Sequence, residues 1–105
     1  MKSRDRFHPL NIPGMDADRQ GLIFYLCRNY KNLPADKKQI LDDRFREVGG
    51  EHEMALRELL TTAEPIVGIC MRHYIGSPNT LCVLRRRYYE GFPIDKFYDN
   101  QRIRI

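Results

Sequence analysis

The breaks in this chain constrain it more than its apolar residues do. Pro34, the pair Gly49-Gly50, Pro65, the run Gly76-Ser77-Pro78 and Gly91 divide it into short segments. A proline pushes the residue before it out of the α region, and a glycine ends a helix at little cost. Between these points apolar residues recur three and four apart, the spacing of one helical face. No run of useful length alternates at the period of a strand, and "RIRI" at the end is too short to count. The expected fold is therefore all-α: a small single-domain bundle of about five short helices joined by short loops.

Asp16 caps the first helix, with Asp18 in its first turn. Leu22, Ile23, Leu26, Cys27 and Tyr30 share its apolar face, and Gly21 suggests a close helix crossing. Pro34 opens the second helix, which buries Ile40, Leu41, Phe45 and Val48. Asp36, Asp42 and Asp43 lie on its wet side among Lys37, Lys38 and Arg46. The third, Glu51 to about Thr62, buries Met54, Leu56, Leu59 and Leu60. Thr61 and Glu64 have capping-box spacing ahead of a short fourth helix, whose apolar residues are Ile66, Val67, Ile69, Cys70 and Tyr74. Ser77 then Pro78 is the strongest cap signal, a side-chain acceptor followed by a residue with no amide to satisfy. The fifth helix runs to about Glu90 on a stripe of Leu81, Leu84 and Tyr88, widened by Val83 and Phe92. One more helical turn is expected around Ile94 to Tyr98. Residues 1–15 read as an extended N-terminal arm held by Phe7, Leu10 and Ile12, residues 16–98 as one helical domain, and residues 99–105 as a C-terminal tail.

A chain of 105 residues that is 42% hydrophobic and 30% charged supports one modest core. Its opening residues, with Lys2, Arg4, Asp5 and Arg6, lack the apolar centre of a secretory signal. The longest purely apolar run, Leu22 to Cys27, falls far short of the roughly 20 residues of a membrane span. Cys27, Cys70 and Cys82 are an odd set among apolar neighbours, which suits reduced thiols better than a disulfide framework. A cytoplasmic protein without a membrane partner is expected. The net charge of +4 sits at one end: residues 1–65 hold 11 basic and 11 acidic side chains, residues 66–105 hold 7 and 3. The stretch from Pro34 to Pro65 is acidic, 5 against 8. A basic end meets anions, nucleic acid first among them.

Residues 66–89, "IVGICMRHYIGSPNTLCVLRRRYY", resemble the helix-turn-helix of small phage, transposase and transcription-regulator domains. In that motif a short helix carries a small inward residue, a tight turn follows, and a capped second helix lies in the major groove of DNA. The resemblance makes Cys70 the small inward residue, Tyr74-Ile75-Gly76 the turn and Ser77 the cap. It implies double-stranded DNA as partner. Asn79 and Thr80 would meet bases from the first turn, beside Ser77 and Pro78, and Arg72 and His73 would reach the backbone. Arg85, Arg86 and Arg87 span about 200° of helix, so at most two of them grip one groove. The turn is one residue longer than usual, and Tyr74 stands where glycine is typical.

A second reading needs no nucleic acid: a helical module that forms homo-oligomers or docks a protein partner. The docking face would lie on helices one to three, with the basic end meeting an acidic surface. Cys70, His73 and Cys82, with His52, match no common zinc spacing. Cys70 with His73 lacks an oxyanion site and an orienting acid for nucleophilic catalysis. No phosphate-binding glycine loop is present. The expectations are no enzyme, no cofactor, no metal and no evident small-molecule substrate.

Overall fold

The first helix begins where Asp16 supplies a side-chain acceptor: its carboxylate accepts from the Arg19 N–H at 2.8 Å. In the computed structural model, which describes Phe7 and residues 9–97, the helices are α1 (Ala17–Arg28), α2 (Ala35–Gly49), α3 (Glu53–Thr61), α4 (Ile66–Arg72), α5 (Pro78–Glu90) and the single turn α6 (Ile94–Phe97). No strand occurs among the described residues. The all-α architecture is thus as the helical period indicates. Tyr98 and the tail lie outside the described residues.

α3 is the centre of the bundle and packs on α1, α2, α4 and α5. The stripes meet there: Ile23 and Cys27 of α1, Leu41 and Phe45 of α2, Leu56 of α3, Ile69 of α4, and Leu81 and Tyr88 of α5 are all fully buried. Each large aliphatic side chain so buried contributes about 1.5–3 kcal/mol. Tyr88 lies against Phe45 at 4.8 Å between ring centroids, and its hydroxyl donates to the Leu41 carbonyl at 3.4 Å.

Several local expectations give way to tertiary contacts. Gly21 marks no helix crossing: the Phe7 ring lies over it, 3.4 Å from where a Cβ would stand. Tyr30 sits in a 3-10 turn after α1, and its hydroxyl donates to Asp42 at 2.8 Å. Asp42 is consequently half-buried rather than wet, and it also receives Arg57 at 2.6 Å. α3 starts two residues late, after a 3-10 turn over Gly50–His52, where Gly50 takes φ +52. Ala55 then joins the inward stripe, and Met54 is 62% exposed. No capping box forms at α4. Thr61 still belongs to α3 and donates to the Arg57 carbonyl at 2.7 Å, and Pro65 precedes α4 without a side-chain cap.

The lead-in before α1 is fixed by one buried polar residue. Gln20 accepts from the Leu10 N–H at 2.7 Å and donates to the carbonyls of Leu10 and Met15 at 2.9 and 3.3 Å. Ile12 of the same lead-in is buried in the core. A buried amide with its bonds made pins irregular backbone that no helix could hold.

Candidate nucleic-acid interface

The turn between α4 and α5 is built from the backbone outward. α4 ends in a Schellman arrangement: the Ile75 N–H donates to the Cys70 carbonyl at 2.9 Å, and the Tyr74 N–H to the Met71 carbonyl at 3.4 Å. That closure puts Tyr74 at φ +56, the left-handed region that glycine normally fills. Ile75 turns inward onto the core, and the Tyr74 side chain is 95% exposed. Two residues on, Ser77 accepts from the Asn79 N–H at 3.2 Å and starts α5 with Pro78 in the first turn. α3, α4 and α5 pack on one another, so α5 is held from two sides.

α5 therefore has two faces. Leu81, Leu84, Tyr88 and Tyr89 are buried. Asn79, Val83, Arg86 and Arg87 are exposed and fall at i, i+4, i+7 and i+8, one strip of helix surface. Thr80 is half-buried at its edge, and its N–H donates to the Ser77 carbonyl at 3.1 Å.

The three consecutive arginines meet different surroundings. Arg86 stands in water with Glu90 at 3.5 Å. Arg87 is exposed and forms no ion pair among the described residues. Arg85, about 100° round the helix from Arg86, is half-buried and lines a cavity with Arg28 and Tyr89. The end of α5 is braced from α2: Arg44 donates to the Arg87 and Tyr88 carbonyls, a cation at a helix C-terminus.

Arg72 and His73 are occupied. Arg72 meets Glu58 at 2.8 Å and Glu64 at 3.6 Å, and His73 Nε2 lies 2.8 Å from Glu58. These partners hold the Glu58 carboxyl below its usual range, the His73 hydrogen bond first and the Arg72 bond and charge after it. Part of the acidic middle segment thus serves its own chain.

Of the residues singled out in the sequence, Ser77, Asn79, Thr80, Arg86 and Arg87 come together at the start and along the wet side of α5. Arg85 points elsewhere, and Arg72 and His73 form a separate cluster with Glu58. Val83, expected from its spacing to widen the buried stripe of α5, is instead 40% exposed in the middle of the strip. The sequence reading also assigned Val67 and Tyr74 to apolar packing. They are 57% and 95% exposed and, with Met71 at 72%, run i, i+4, i+7 along the outside of α4 and its turn. The signal was present as a second apolar stripe opposite Ile69 and Cys70.

No group of three or more His, Cys, Asp and Glu side chains gathers for a metal ion among the described residues. Cys27 and Cys70 are buried free thiols, and burial pushes Cys27 up to about 12. No described helix is long and apolar enough to cross a membrane. The chain matches no protein-family model, and neither a curated protein nor a solved structure matches it.

Proposed function

We propose that this chain binds double-stranded DNA by laying the exposed strip of α5 in the major groove. The observation that supports this is the strip itself: Asn79, Val83, Arg86 and Arg87 share one uncovered helical face directly behind a serine-capped N-terminus. Asparagine pairs with adenine through two hydrogen bonds, a valine methyl packs on a thymine methyl, and arginine grips guanine or phosphate. The first-turn amides of α5 add positive dipole toward a phosphate. The Arg86–Glu90 pair is exposed and worth at most about 1 kcal/mol, so a phosphate can displace it. Arg72, His73 and Arg85 take no part in this footprint.

The test is fluorescence anisotropy on a mixed-sequence duplex at two salt concentrations. Binding should weaken with salt, with a slope of log affinity on log salt of about 2. The double variant R86A/R87A, with its helical circular dichroism intact, should lower the salt slope by about 2. The variant R46A, which removes a charge from α2, should bind as the parent does. No binding at about 100 μM protein in low salt, where non-specific sites with Kd of roughly 10⁻⁴–10⁻⁶ M fill, rejects the reading.

A second reading is favoured by the uncovered Val67-Met71-Tyr74 stripe: a protein-docking module whose contact lies on α4 rather than on helices one to three. An oligomer mass that rises with concentration and is abolished by M71E, together with no DNA binding, would select it.

A further inference from the structure

We propose that the cavity between α1, α4 and α5 binds a small organic monocarboxylate, with Arg85 holding the carboxylate and an apolar body resting on Phe24 and Ile66. The cavity is about 290 Å³, near the lower edge of the range for small-molecule sites, roughly 300–1,000 Å³. Arg85 enters it from α5, and the Arg85 Nε is buried with no hydrogen-bond partner. That nitrogen is closed off from the cavity, so an acceptor inside would meet the part of Arg85 that lines it. Arg28 lines the same cavity, its guanidinium 4.7 Å from the centre of the Phe24 ring.

The lining selects the ligand. A guanidinium presents parallel N–H donors that match the two oxygens of a carboxylate. Tyr89, which also lines the cavity, has its phenol pushed up to about 12, chiefly by burial, so it stays neutral at physiological pH. Phe24 and Ile66 offer surface to an apolar body but nothing to a second charge. Glu64 also lines the cavity, 3.6 Å from Arg72, and its carboxylate offsets one of the two guanidinium charges of Arg28 and Arg85, so the lining favours one negative charge over two. A singly charged acid with a small apolar group satisfies all of these. Arg85 lies about 100–120° round α5 from Arg86 and Asn79, and the site does not depend on the DNA reading.

The test uses the full chain, sodium benzoate as probe, and benzamide and inorganic phosphate as comparisons, read by ¹H–¹⁵N chemical shifts and thermal melting. Benzoate should shift the α5 amides around Arg85 and Tyr89 saturably, with Kd on the order of 1 mM for so few atoms. Benzamide and phosphate should bind at least about tenfold more weakly. R85Q should lose roughly tenfold or more in benzoate affinity, the loss of a charge-assisted hydrogen bond. R46Q should not change it. A63L, which narrows the cavity wall without touching its charge, should also weaken benzoate. The proposal is overturned if benzoate causes no saturable shift, if R85Q binds it as the parent does, or if benzamide or phosphate binds equally well. Should R85Q fail to fold, A63L carries the decision: undiminished benzoate binding overturns the proposal.

Discussion

Replacing Tyr74 by glycine should stabilise this protein. Tyr74 holds φ +56 because the Schellman closure of α4 leaves no other backbone path to Ile75. An L side chain in that region costs about 1–2 kcal/mol, and glycine is relieved of it. Glycine in turn gives up more freedom on folding, about 0.5–1 kcal/mol. Removing the ring loses almost no burial, since the residue is 95% exposed. The difference leaves Tyr74→Gly more stable by about 0.5–1 kcal/mol, or roughly 2–8 °C in Tm for a domain of this size. Tyr74→Ala keeps the left-handed cost and loses no packing, so it should stay within about 0.5 kcal/mol of the parent. Urea unfolding followed by circular dichroism measures all three at a common slope. A glycine variant no more stable than the parent would mean that the turn does not hold the left-handed conformation. An alanine variant weaker by more than about 1 kcal/mol would mean that the ring is packed. Either result removes the geometry on which the α4–α5 arrangement stands. A residue that strains the turn and lends nothing to the core also points outward, because backbone strain tends to collect where a surface is used.

Two more outcomes follow from the ionic contacts. Glu58 has a depressed pKa in the folded state, so the stability it contributes is present above the unfolded value and is lost as pH falls through the folded one. The urea midpoint should therefore decline from about pH 5 downward, and E58Q should flatten that decline; an unchanged profile in E58Q refutes the pairing. R44A removes a side chain that is only 12% exposed and leaves the Arg87 and Tyr88 carbonyls without its hydrogen bonds, which should cost about 1.5–3 kcal/mol. A Cβ at Gly91 would collide with the Arg44 guanidinium, so G91A should be harmful in the parent and nearly neutral in R44A, a coupling that a double-mutant cycle reads directly.

The legible parts of this fold are those set within one turn of helix. Ser77 followed by Pro78 starts α5 as its chemistry requires, and Leu81, Leu84 and Tyr88 bury the face that their spacing defines. Leu41 and Phe45 do the same for α2. Features fixed by distant partners were not legible. Gln20 looks like a surface glutamine until the backbone of residues 10–15 folds over it. Asp42 turns inward only because Tyr30 and Arg57 converge on it from two other elements. α4 is the instructive failure. Its seven residues carry Ile66, Val67, Ile69, Cys70 and Met71 on nearly every side, so periodicity cannot say which side is wet. Packing on α3 and α5 decides, and Val67 and Met71 are left outside.

The same reasoning limits what a charge count says about a site. Residues 66–105 carry seven basic side chains, and that excess is what first suggests a polyanion. Among those the structure describes, Arg72 is bound by two glutamates and Arg85 turns into a cavity. Two of the three consecutive arginines remain on the strip that begins at Asn79. With about two phosphate contacts from side chains, electrostatics alone supplies weak binding whose salt slope is near 2. Useful affinity for DNA would then depend on base contacts from Asn79 and Val83, or on a second copy binding an adjacent half-site. On the proposed DNA footprint, sequence preference and oligomeric state would therefore be coupled. A monomer that bound random duplex tightly would contradict the footprint as surely as one that did not bind at all.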